Sequence, residues 1–399
     1  MSELVDKLHY KLDGTTDEIT LYSTLGEVNN KGLNVKVNGI NAYAGYGTEA
    51  DGEVSRMNYK PPTEVAQKVL KQAGEPVLLN LLGYRNNEDL LQALPVTQVT
   101  KGSYVHFNNE NAPTISGYDF VCAVPNCFIA EEATTVKIYY IPQSVPDRTK
   151  TDWRNYYNDD DSIQGDLFSS DLVNTYSATD MQNMFYSCDI SVPPKLNMSN
   201  VTNANSMFAN TKISNFNGQF YDLSNITSAY RMFTGLTGTL ITADISGMQN
   251  VEDMQMMFSN CWVLESIILP RKMTKVNAFS TFCAQAYKLK KIDFTGTELG
   301  KECTLADIGF QYAFQNCQAL ESINLNSVHT EKINNFQRCF YNCKTLKEVI
   351  GEIDLSNAVS IRDMFSNTAL TTPVKLKNVP SSLDLSQLGT DMYQVLNYI

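Results

Sequence analysis

Residues 251–269 read VEDMQMMFSNCWVLESIIL, and the C-terminal half of the chain is built on that order of residues. Apolar residues lead to Met257-Phe258, then to Ser259-Asn260-Cys261, then to Leu264 and the strand-like Ile267-Ile268-Leu269. Aligning equivalent stretches on the phenylalanine gives Phe185, Phe208, Phe233, Phe258, Cys283, Phe314, Phe340 and Phe365, spaced by 23, 25, 25, 25, 31, 26 and 25 residues. The long spacing carries an insertion around TGTELGKEC. Methionine precedes the anchor at Met184, Met207, Met232, Met257 and Met364, and four residues before it stands Met181, Ala204, Ala229, Met254, Phe279, Phe310, Phe336 or Ile361. Apolar residues recur seven before it, as at Val201, Ile226, Val251, Val276 and Ile333. Offsets of −7, −4, −1 and 0 fall on one face of a helix, so the spacing predicts one helical turn per unit.

An apolar-x-apolar run follows in each unit, and alternation with period two turns its middle residue outward. Stacked one per coil, the middle residues are Lys195, Asp222, Asp244, Ile268, Asp293, Asn324, Asp354 and Lys375, a mainly acidic stripe ending in lysines. These eight are the candidate binding residues. A solvated sheet face with no ligand is the competing reading of the same row.

A period near 25 residues with one strand and one helical segment per unit is the leucine-rich-repeat pattern. The consensus Met-Phe-x-Asn-Cys-x-x-Leu-x-x-(Ile/Val)-x-Leu resembles the BspA-type leucine-rich repeats, over about eight coils from residue 175 to about 390. The resemblance implies an α+β solenoid whose sheet face binds, and surface proteins of bacteria or phage-borne proteins as the setting. Within such an array the Met-Phe pairs are core, because one coil cannot bury its apolar face without its neighbours. The final stretch VPSSLDLSQLGTDMYQVLNYI lacks the anchor and is expected to cap the array.

Upstream, LNVKV and INAYAGY flank Asn38-Gly39, the strongest short-range hairpin signal. The segment EITLYST followed by LNVKVNGINAYAGYGTEADGEVSRMNYK resembles a small β module of bacteriophage and prophage tail and fibre proteins. Arg56 and Lys60 stand slightly displaced from the basic position of that pattern. After Pro61-Pro62, TEVAQKVLKQAGEP carries a Thr cap and a Gly stop and is expected to be helical, as is NEDLLQAL. VTQVTKGSYVHF, YDFVCAVPNCFIA and TTVKIYYIP are expected strands. The predicted division is therefore a β-rich attachment module at 1–61, a small α+β module at 62–150, an acidic connector at 151–174 and the solenoid with its cap at 175–399.

Composition narrows the chemistry. A hydrophobic fraction of 43% supports a sizeable core, and a net charge of −12 argues against nucleic acid and anionic membrane. No run of about 18 apolar residues offers a membrane-inserting segment. The first residues, MSELVDKLHYKLDGTTDEIT, do not make a signal peptide, so synthesis and retention in a cytoplasm is the expectation unless a leader has been trimmed. Nine cysteines without a Cys-x-x-Cys pair, and only His9, His106 and His329, give no zinc pattern. Cys188, Cys261, Cys317 and Cys343 share one repeat position and are expected as buried thiols. Asp159, Asp160 and Asp161 lack the alternation and glycine of a calcium loop, so neither a metal nor a cofactor is expected. Nucleophile, phosphate-loop and dinucleotide motifs are missing, which points away from an enzyme.

Two settings follow. In the first, a phage or phage-like tail fibre attaches to other virion proteins through its N-terminus, and the repeats recognise a bacterial surface glycan or protein. Resemblance to fibre proteins implies a homotrimer there. In the second, the chain is a BspA-like bacterial surface adhesin bound to host protein or glycan.

Overall fold

The computed structural model describes residues 76–160 and 173–389, apart from 86–88 and 304–307, together with the backbone of six short strands outside those ranges. The chain forms two compact units. One is Met1–Leu82 with Ala93–Val105 and Phe128–Val136; the other is Gly83–Gln92 with His106–Cys127 and Lys137–Ile399.

In the first unit, β1 (Thr20–Tyr22), β2 (Leu33–Val37) and β3 (Ile40–Ala44) make an antiparallel sheet. Val37 lies opposite Ile40 and Leu33 opposite Ala44, the register that an Asn-Gly hairpin dictates. Strands β4 (Glu49–Ala50) and β5 (Glu53–Val54) pair antiparallel. The helix expected over TEVAQKVLKQAGEP lies outside the described residues. Strand β6 (Pro76–Arg85) alternates buried Val77, Leu79 and Leu81 with exposed neighbours.

NEDLLQAL is not helical: Leu90–Ala93 is strand β7, and the Leu94 N–H donates to the Leu81 carbonyl of β6. Of its apolar residues only Leu94 is buried, so no apolar stripe exists to hold a helix, and edge pairing overrides local propensity. Strand β8 (Thr97–Thr100) runs antiparallel to β6, with Pro76 opposite Thr100.

Strands β9 (Tyr104–His106), β10 (Tyr118–Val124), β11 (Cys127–Ile129) and β12 (Thr134–Pro142) follow. In the second unit β10 pairs antiparallel with β12 and meets the first coils. Asn197 donates to the Phe120 carbonyl at 2.5 Å and to Asn109 Oδ1 at 2.6 Å. Asp119, nearly fully buried, accepts from Arg148 Nε at 2.5 Å, Asn174 Nδ2 at 2.9 Å and Gln143 Nε2 at 3.0 Å. Burial pushes the Asp119 carboxyl up, but these hydrogen bonds and the Arg148 charge outweigh it and hold it below the ordinary carboxylate range.

The repeat array fills the rest of this unit, and it corrects the expected fold class. The α+β solenoid with a helical turn per coil is not what forms: among the described residues there is no α-helix, and the regular structure is nearly all β. Short 3-10 segments at Gly218–Phe220 and Thr330–Lys332 lie away from the Met-Phe pairs, and one at Leu385–Leu388 sits against the last pair, its Gln387 and Leu388 carbonyls accepting from the N–H groups of Asp363 and Phe365. Each Met-Phe stretch is instead three overlapping tight turns. Around Phe185, the N–H of Met184 donates to Met181, that of Tyr186 to Asn183, and that of Cys188 to Phe185. The intervening N–H groups point out of the coil. Met181, Asn183, Phe185 and Ser187 donate to Asn203, Asn205, Met207 and Ala209 of the next coil, and this ladder recurs through the array.

The backbone has a positive φ two residues before and two after the anchor. The second site holds Asn210, Asn260, Asn316, Asn342, Asn367 and Gly235 among others, residue types that accept the left-handed region. The apolar spacing mimics a helix face because −4, −1, 0 and +3 all point inward. The peptide groups, however, bond along the array rather than along a helix axis.

Anchor side chains stack. Phe185–Phe208, Phe233–Phe258, Phe314–Phe340 and Phe340–Phe365 have ring centroids 5.4 to 5.6 Å apart and planes within 5°. Where Cys283 replaces the ring, Phe282 fills the space edge-on to Phe258 at 5.4 Å. A further coil precedes the eight. Within the stretch read as a connector, Tyr157 stacks on Phe185 at 5.6 Å, and Trp153, Asn155, Tyr157 and Asp159 donate to the following coil in the same ladder. One apolar core runs from Trp153 to Leu388.

Three outcomes test this fold. Phe258→Ala should cost about 3–5 kcal/mol in denaturant unfolding, through the cavity left in the stack. At Asn316 (φ 63), valine should cost about 1–2 kcal/mol while glycine costs far less; equal losses would remove the left-handed turn from the account. Asp119 has a depressed folded pKa, so its contribution is present above its ordinary value near 3.8 and declines as pH falls below it. Melting of the Arg148→Met variant should be lower at neutral pH and flatter with pH in that acid range.

Candidate functional site

Parallel strands on the side of each coil opposite the turns carry the candidate row. Strands β13 (Asn215–Asn217), β14 (Thr242–Asp244) and β15 (Ser266–Ile268) pair in register, as do β17 (Ser322–Asn324) and β19 (Glu348–Ile350). Between these two sheets lies β16 (Ile308–Gly309), which pairs with β18 (Ile333–Asn335) on the turn side. Asp293 bridges to Asn324. The pairing sets Asn217, Asp244 and Ile268 side by side, and likewise Asp293, Asn324 and Ile350.

Four of the eight predicted residues, Asp244, Ile268, Asp293 and Asn324, therefore occupy the row as expected in position. Asp222 does not pair there: Asn217 lies beside Asp244, and a 3-10 turn opening at Gly218 separates Asn217 from Asp222. A Cβ on Gly218 would sit 2.2 Å from the Asp244 carbonyl oxygen, so only glycine permits that approach. Asp354 is displaced as well. Gly351 (φ 102) divides one strand into β19, which pairs with the preceding coil, and β20 (Glu352–Asp354), which pairs with β21 (Val374–Lys377). Strand β21 in turn pairs with β22 (Val395–Tyr398).

The two lysines stand two residues out of place. Lys375 faces Glu352, whereas Lys377 lies opposite Asp354. Lys195 sets its ammonium 4.4 Å from the Tyr139 ring centre. The residues that sequence reasoning missed are Asn217, Ile350 and Lys377; the Asx-x-Ser order that marks Asp222, Asp244 and Asp354 is absent at all three, so no local signal singles them out.

The acidic residues have a structural task. Oδ1 of Asp222, Asp244, Asp293 and Asp354, and of Asn324, accepts the backbone N–H two residues on, at 2.9 to 3.1 Å. Asn197 does the same toward Ser199. Each is an Asx turn that bends the chain out of its strand. Asp222, Asp244 and Asp354 are buried, at 2, 7 and 8% exposure, whereas Asp293 is exposed. Hydrogen bonds from Thr295 hold the Asp293 carboxyl below its ordinary range. For Asp354, burial pushes the carboxyl up, and bonds from Ser356 and Asn378 with the Lys377 charge bring it below. What the row offers to solvent is thus Ile268 (55% exposed), Asp293, Ile350 and the amides of Asn217 and Asn324.

The repeated cysteines serve closure. The thiols of Cys188, Cys261 and Cys343 donate to the anchor carbonyls of Tyr157, Phe233 and Phe314, and Cys317 donates to Cys283. Burial pushes the Cys261 thiol up to about 12, well away from nucleophilic use. Among the described residues, no group of three or more His, Cys, Asp or Glu is placed to hold a metal ion.

Comparison with known proteins gives one result. The model of the family described as "Mycoplasma protein of unknown function, DUF285" matches residues 151–268, 179–294 and 308–392. Those segments span more than half of the chain and begin at the coil of Tyr157. No curated protein and no solved structure matches the chain.

The turn-forming role of the row is open to direct measurement. Asp244→Ala should lose about 0.5–2 kcal/mol in denaturant unfolding, as at other side-chain caps, while Asp244→Asn keeps the acceptor and most of the stability.

Proposed function

Since the chain belongs to the DUF285 family through its repeats, we propose that the array is a non-catalytic recognition surface for another cell's exterior. The observation that supports this reading is the part of the strand row that the fold leaves unused. Ile268 and Ile350 are aliphatic side chains held in solvent by strands whose other residues close coils and turns. An exposed isoleucine gains nothing from its position in the isolated protein, and with Asp293 and Asn324 between them the two make a mixed apolar and polar strip. The glycan or protein met by this strip is a component of a bacterial or host surface.

The two settings read from the sequence remain distinct proposals. A BspA-like surface adhesin is supported by the family match over the repeats. A phage or phage-like tail fibre is supported only by the sequence resemblance of the segment containing β1, β2 and β3. Attachment to virion proteins and a homotrimer belong to that second proposal alone.

Ile268→Lys combined with Ile350→Lys should reduce binding to intact cells at least tenfold while shifting stability by no more than about 0.5 kcal/mol, as expected at exposed positions. Unchanged binding by the double variant would take the strand row out of the recognition surface.

A further inference from the structure

Beyond the triple turns, four successive coils close on a shared corner. The N–H groups of Leu264, Leu289, Leu320 and Leu346 donate to Cys261, Ala286, Cys317 and Cys343, three residues back, at 3.0 to 3.2 Å. The first residue inside each corner is Trp262, Tyr287, Gln318 and Lys344 in turn. Backbone spacing thus sets two aromatic rings, an amide and an ammonium in one row, on a different part of the coil from the strand row.

Trp262 is 44% exposed, whereas the chain's other tryptophan, Trp153, is fully buried. The Trp262 and Tyr287 ring centroids lie 6.1 Å apart with planes inclined by 41°, a slanted neighbouring pair rather than a parallel stack. The Tyr287 hydroxyl donates to Gln285 Oε1 at 3.1 Å, which fixes that ring's direction. An indole left in water forfeits a large apolar burial, and nothing in the coil's own packing requires it at a corner that Gln318 and Lys344 close equally well.

We propose that Trp262 and Tyr287 form a stacking platform for two consecutive rings of a neutral polysaccharide, with Gln318 hydrogen-bonding its hydroxyls. The C–H face of a sugar ring carries partial positive charge and lies flat on the negative face of an aromatic ring. A row that repeats by one side chain per coil is complementary to a ligand that also repeats by translation. The net charge of −12 selects against polyanionic chains, and the row itself carries no carboxylate to hold a cationic one, which leaves uncharged ones. This inference rests on the recognition reading and names its ligand class and a second contact site.

Tryptophan fluorescence reports the site directly, because one of the two indoles is exposed and the other is not. Titration with laminarin, yeast mannan and dextran should give a saturable spectral change and protection from acrylamide quenching with at least one of them. By isothermal titration calorimetry, which needs no indole reporter, Trp262→Ala should weaken that binding at least tenfold with melting unchanged, and Trp262→Phe should keep most of it. No response to all three polysaccharides, or equal affinity of the alanine variant, overturns the platform. Cell binding separates this result from the broader reading. If intact cells bind wild type and Trp262→Ala alike, recognition stands and the platform falls. If neither cells nor polysaccharides bind, both fall.

Discussion

Everything in the repeat array depends on where alternate backbone N–H groups point. In each triple turn one set closes i to i−3 bonds within the coil, and the other set donates to the next coil. Around Phe185 and Phe258 that division gives the turn's peptide donors partners in the buried interior, where an unmade hydrogen bond costs about 1–3 kcal/mol. It also fixes the coil-to-coil spacing at which the anchor rings stack, near 5.5 Å. Neither the phenylalanine stack nor the cysteine column is independent of this ladder. The thiol of Cys261 reaches the Phe233 carbonyl because the ladder presents it one coil back.

A stack of this kind propagates small insertions into changes of surface. Gly218 admits a 3-10 turn before Asp222, and Gly351 splits one strand so that its halves pair with different neighbours. Both events leave the core unbroken while moving an aspartate out of the exposed row and into a buried turn. Surface composition is therefore decided by local backbone detours, and core composition by the repeat.

The outer faces differ in kind for the same reason. The turn face is saturated by side chains bonding along the array, as where Asn342 donates to Asn316 and Asn183 to Asn155. On the strand face and the corner row, by contrast, Ile268, Ile350 and Trp262 project into solvent, and it is these positions that carry the proposed recognition.

The repeat period, the anchors, the identity of nearly every core residue and the Asn-Gly hairpin were all legible in the residue pattern, because burial follows side-chain chemistry and spacing. Whether −4, −1 and 0 lie on a helix or on stacked turns was not. Both conformations turn the same side chains inward, and they differ only in the partner of each N–H, which lies about 25 residues away in the next coil. The recurring asparagine two residues after the anchor was the one local sign of left-handed backbone. The acidic stripe was half legible for a similar reason. An aspartate at the end of a strand has one sequence signature whether it faces a ligand or bends its own chain, and only the packing of neighbouring coils separates Asp293 in solvent from Asp244 and Asp354 in the interior.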